Sequence, residues 1–95
     1  MKIMVLVITD NRVNDVKGYL PLAKKLAAEA VQNDKGCQYM DVYVDPQTEG
    51  RVVFVSRWDT KEDWQAHAQG KTFQDNIPAM APYYVSGTDT FLELA

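Results

Sequence analysis

His67 is the only histidine of the sequence and follows Trp64 by three residues, a spacing that sets both side chains on one face of a helix. Its ordinary pKa, about 6.5, is the closest to neutrality of any side chain, so it suits a general base or a hydrogen-bond donor to a substrate oxygen. The alternative is a partly buried, hydrogen-bonded structural histidine. Asp63 lies four residues before His67, but two ligands do not make a metal site. Asp41 is a second candidate for proton transfer. Trp58, Trp64, Phe73, Met80 and Tyr83 would wall an apolar space that suits a flat aromatic ligand, and they would equally well fill a small core. Arg57 stands on the strand that follows Asp41's, where the two can form a cross-strand ion pair or turn toward a pocket or a partner subunit. Arg57 is also a candidate to stabilise an oxyanion, although alternation along its strand points it away from Trp58. Cys37 has only Lys35 as a cationic neighbour in sequence and reads as a small hydrophobe.

Composition narrows the function classes. Ten Lys and Arg stand against thirteen Asp and Glu, with three arginines in all, a poor footprint for nucleic-acid phosphates. The longest apolar run, residues 3–8, is far short of the roughly 20 residues needed to span a bilayer. No basic and apolar signal pattern opens the chain, so a soluble, cytoplasmic protein with no membrane partner is expected. One cysteine allows no internal disulfide, and one Cys with one His cannot build a metal cage without carboxylates or a second chain. The five glycines stand apart, so neither a GxGxxG nor a phosphate loop is present. No metal and no nucleotide cofactor is expected.

The elements that must position these groups follow from hydrophobic period and breakers. Residues 2–9 are apolar on both alternating faces, the mark of a strand covered on both sides. From Val13 onward, apolar residues recur at three and four up to Val31, an amphipathic helix ending near Gly36. Pro21 inside it predicts a kink near Lys17 or a helix that begins around Leu20. Residues 38–44 and 51–58 alternate and flank a turn at 45–50, so they form a hairpin. Thr60, with Asp63 three residues on, starts a short helix that Gly70 ends. Phe73, Ile77 and Met80 mark a second short helix over 72–81, and residues 83–94 close the chain as a strand with a bulge expected at Gly87.

The resulting order β-α-β-β-α-(α)-β is the split βαβ of an α+β, ferredoxin-like single domain over residues 1–95: an antiparallel sheet with helices on one face. The other sheet face is then bare. Its apolar side chains exceed what a monomer normally exposes, and a two-fold homodimer with two facing sheets covers them.

The stretch Trp58, Asp59, Thr60, Lys61, Glu62, Asp63, Trp64, Gln65, Ala66, His67, followed six residues later by Phe73, resembles the signature of the antibiotic biosynthesis monooxygenase family. Gly36 and Cys37 before the second strand and Asp45 and Pro46 at the hairpin resemble it too, so the likeness covers essentially the whole chain. It implies a dimeric α+β barrel and an oxygenase that needs no flavin, haem or metal. In such an enzyme a phenol or hydroquinone is deprotonated, passes an electron to O2, recombines with it and loses water. By the same likeness Trp58 and His67 lie at a pocket between sheet and helices. Two positions depart from the family pattern. Ser56 replaces a common Glu, and Ile77 stands about where the haem-degrading branch has its haem-binding His, which speaks against haem. Members also process signal molecules. The alternatives are therefore a non-catalytic small-ligand-binding or dimerisation module, and an isomerase or lyase using His67 and Asp41 without O2.

Overall fold

The first strand outlasts its apolar run. In the computed structural model, which describes residues 2–95, β1 spans Val5–Val13, four residues beyond the expected end at Thr9. It lies between β3 (Arg51–Trp58) and β4 (Tyr84–Glu93), so its polar half is hydrogen-bonded on both edges. The polar side chains are also served. Arg51 donates to the Asp10 carboxylate on one face, and Asn11 donates to the Tyr19 hydroxyl on the other. With β2 (Cys37–Val44) the strands form one antiparallel sheet in the order β2-β3-β1-β4, the expected ferredoxin-like α+β arrangement.

Strand alternation divides the side chains between the two faces. Val5, Val7, Asn11, Val13, Val52, Phe54, Ser56 and Trp58 are buried beneath the helices. Leu6, Ile8, Val53, Val55 and Arg57 point the other way and are only half-buried. β4 is exposed along its whole length.

Helix α1 spans Val16–Asn33 as one element, so it does not wait until Leu20 as the proline suggested. Asp15 caps it by accepting from the Gly18 amide at 3.1 Å. Pro21, in the second turn, removes only one backbone bond. Its buried stripe is Tyr19, Ala23, Leu26, Ala27 and Ala30, of which the first three pack with Val13, Val52 and Phe54 of the sheet and with Met80. Helix α2 (Lys61–Gln69) opens with the Thr60 hydroxyl accepting from the Asp63 amide at 3.1 Å, as the capping pattern predicts. After Gly70, α3 (Lys71–Met80) follows directly, and a single 3-10 turn, Ala81–Tyr83, leads into β4. The register shift of β4 falls opposite Arg12 and Val13, between Tyr84 and Ser86, and Gly87 pairs regularly with Asn11. The bulge expected at Gly87 thus lies nearer the start of the strand. Among the described residues no helix is long and apolar enough to cross a membrane.

Candidate functional site

Three elements meet at His67. Its side chain is 5% exposed, edge-on to Phe73 at 5.7 Å and tilted over Trp58 at 4.9 Å between ring centroids. Nδ1 lies 2.5 Å from Oδ2 of Asp34, the residue that ends α1. The other oxygen of that carboxylate accepts from the Thr72 hydroxyl of α3 at 2.8 Å. Asp34 therefore fixes the imidazole with its proton on Nδ1 and leaves Nε2 as the working nitrogen. No hydrogen bond engages Nε2 among the described residues, and none of their fully buried side-chain nitrogens or oxygens lacks a partner. Nε2 must consequently open on the cavity that His67 lines.

That cavity, about 450 Å³, lies between the sheet and the helices. Leu26, Met40, Phe54, Phe73, Ile77 and Met80 supply an apolar body, with Trp64 beside His67. Trp64 in turn packs edge-on against Phe91 of β4 at 4.7 Å. A polar group formed by Asn11, Tyr19, Tyr84, Thr88 and Asp89 completes the wall. The two chemistries are separated along the sheet. His67 sits over Trp58 and near Ser56, which pair with Val5 and Val7, whereas Asn11 is four residues further along β1, about 13 Å at strand rise. Burial raises the Tyr19 phenol above its usual pKa despite the opposing Asn11 hydrogen bond, so it stays a neutral hydroxyl. Among the described residues no group of three His, Cys, Asp or Glu side chains converges to hold a metal.

Of the residues chosen from sequence, His67, Trp64, Phe73 and Met80 line this one cavity. Trp58 is fully buried behind His67, its Nε1 donating to the Ser56 hydroxyl at 3.0 Å, and it supports the wall rather than forming it. Asp41 does not join them. Met40 and Val42 pack inward, so alternation turns Asp41 outward, where it is exposed. Arg57 also lies on the outer face, its Nη2 3.5 Å from the Met4 sulfur. It pairs in register with Tyr39, while Asp41 pairs with Val55, so the expected ion pair between Asp41 and Arg57 is not formed. Tyr83 is held in the 3-10 turn with its ring 6.3 Å from that of Tyr19, and Tyr84 takes the place on the cavity wall. Sequence reasoning missed Asp34, Asn11, Tyr19 and Asp89. Asn11 had a usable signal, since the inward series Val5, Val7, Thr9 leads to it. Asp34 had none, because its partner is 33 residues away.

Residues 4–78 match the family model of antibiotic biosynthesis monooxygenases. No curated protein matches the sequence. Among solved structures, a Caulobacter crescentus CB15 protein aligns with TM-score 0.89 at 18% identity, over 99% of this chain and 92% of its own. SnoaB, a cofactor-independent oxygenase from Streptomyces nogalater, aligns with TM-score 0.85 at 10% identity, over 98% and 94%. A further antibiotic biosynthesis monooxygenase aligns with TM-score 0.81 at 21% identity, over 96% and 98%. At these identities the structural likeness speaks for the fold.

Proposed function

The chain belongs to the antibiotic biosynthesis monooxygenase family, and we propose that it is a monooxygenase that uses O2 without flavin, haem or metal on a quinol-like or phenolic aromatic. The observation that carries this reading is His67, with Nδ1 held by Asp34 and Nε2 open to an apolar cavity. A phenol has a pKa near 10 and is mostly protonated at neutral pH, yet it must become an oxyanion before O2 can take an electron. Nε2 takes that proton. The phenolate then passes one electron to O2, and the resulting radical and superoxide combine at a ring carbon that bears hydrogen. The peroxide recovers the proton from His67. Cleavage of the O–O bond with loss of the carbon's hydrogen releases water and leaves a carbonyl, so one phenol and one O2 give one quinone and one water. The charged imidazolium beside the superoxide stabilises it in a site with few competing dipoles.

The working unit is a homodimer formed through the bare sheet face, and a lone cysteine with no disulfide partner fits a cytoplasmic setting. Oxygen uptake with a reduced menadione-type quinol tests the activity. Uptake above the uncatalysed rate, with one atom of labelled O2 in the product and no peroxide released, is expected. Proton exchange without uptake would transfer the site to isomerase or lyase chemistry.

A further inference from the structure

The polar end of the cavity joins two groups that offer acceptors, the Asn11 amide oxygen and the Asp89 carboxylate, to the hydroxyls of Tyr19, Tyr84 and Thr88, which donate as well as accept. Asn11 donates through Nδ2 to the Tyr19 hydroxyl, and its Oδ1 receives no hydrogen bond from the described residues. Since no fully buried side-chain oxygen among them lacks a partner, this oxygen opens on the cavity that Asn11 lines. Gly87 lies directly opposite in the ladder. A Cβ there would run into Asn11 Oδ1 and would stand 2.8 Å from the Tyr84 hydroxyl, so only a glycine lets those two oxygens approach the strand at this point. Asp89, one step along β4, brings a carboxylate to the same wall, and no lysine or arginine lines the cavity. Asn11 Oδ1 and the Asp89 carboxylate ask a ligand for a proton donor, and no cation of the wall balances a negative charge.

We infer that this polar end is a second recognition subsite, which selects substrates bearing a hydroxyl or amine on the ring remote from His67 and rejects anionic ones. The inference rests on the cavity being the substrate site and adds a substrate class to that reading. Hydrogen bonds to charged acceptors are the stronger kind. An anion placed at this end would meet the Asp89 carboxylate with no lysine or arginine to offset the repulsion.

Anaerobic titration calorimetry separates binding from turnover. Three probes share one ring system: 2-naphthol, naphthalene-2,6-diol and 6-hydroxy-2-naphthoate. The diol is expected to bind about tenfold more tightly than 2-naphthol, and the naphthoate about tenfold more weakly, steps of about 1.4 kcal/mol each. Gly87→Ala, whose methyl must displace Asn11 Oδ1, should abolish the diol's advantage and spare 2-naphthol, while Asp89→Asn should narrow the penalty on the naphthoate. A diol no tighter than 2-naphthol, a naphthoate as tight as 2-naphthol, or no binding of any probe would overturn the subsite. The expected ranking without oxygen uptake would leave it standing and overturn the oxygenase reading alone.

Discussion

Nδ1 of His67 and Oδ2 of Asp34 lie 2.5 Å apart, joining α2 to the end of α1 across 33 residues of sequence. The second carboxylate oxygen is engaged by Thr72 of α3, so one partly buried acid ties three helices together and also sets the tautomer of the only histidine. A histidine kept merely for packing needs no such orientation of its second nitrogen toward a cavity.

Asp34→Asn keeps the shape of the side chain and removes its charge. Asn can present its amide nitrogen to Nδ1, which would drive the proton to Nε2 and leave no base facing the substrate. Quinol oxidation at pH 7 should fall at least tenfold, with kcat affected more than KM, since a general base typically contributes about 10² to 10⁴ in rate. His67→Ala should lose at least as much, and its deficit should shrink above pH 9 as solvent deprotonates the phenol. Folded variants that retain the wild-type pH profile would return His67 and Asp34 to a structural role.

Much of this arrangement was written locally. The helix cap at Thr60, the full length of β3 and the facing of Trp64 and His67 depend on residues a few positions apart, and each formed as its pattern implies. The polar half of β1 and the place of Asp34 depend on partners far along the chain. Hydropathy saw Thr9, Asp10, Asn11 and Arg12 as the end of a strand, because it registers apolar content and not a ladder formed with two other strands. Likewise, placing Asp41 and Arg57 in a site required knowing which sheet face the helices cover, and alternation alone fixes only that they share a face.

Trp58 should reveal how far the site rests on its own backing. The ring is fully buried and lies between Ser56 and His67. Trp58→Ala should cost about 3 to 5 kcal/mol in urea unfolding, the range for deleting a buried aromatic ring. Trp58→Phe keeps a ring under His67 and loses the bond to Ser56, so a smaller loss of about 1 kcal/mol is expected. If both variants lose less than about 1 kcal/mol and yet abolish turnover, Trp58 belongs to the chemistry instead of the core.

Cys37 should be inert while the protein is folded. Burial, reinforced by the charge of Asp34, pushes its thiol up to about 11. Because the folded value lies above the unfolded one, near 8.5, the thiol favours folding below about pH 8.5 and this contribution fades as pH rises toward 11. Iodoacetamide at pH 8 should label the native protein at least tenfold more slowly than the urea-unfolded chain, since the thiolate is the nucleophile. Equal rates would mean that the thiol is neither shielded nor shifted.

The bare sheet face gives the last expectation. Ile8 and Val55 are directly paired neighbours on the two central strands, and with Leu6 and Val53 they form an apolar strip that no helix covers, half-buried in the single chain. Such a strip left in water would make a patch larger than monomers usually tolerate. A two-fold contact buries it twice at one interface, and an obligate pairing of this kind usually covers about 2,000 Å² or more in total. Sedimentation at micromolar concentration should therefore show twice the 10.8 kDa chain mass. The same symmetry makes one charged substitution appear twice. Val55→Lys points away from the core, so the chain should still fold, but the dimer must then bury two unpaired ammonium groups. Association should weaken into the monomer range, with Kd raised at least about 100-fold, equal to roughly 2.7 kcal/mol. A wild-type monomer would remove the dimer altogether, and an unperturbed Val55→Lys dimer would move its interface to another face.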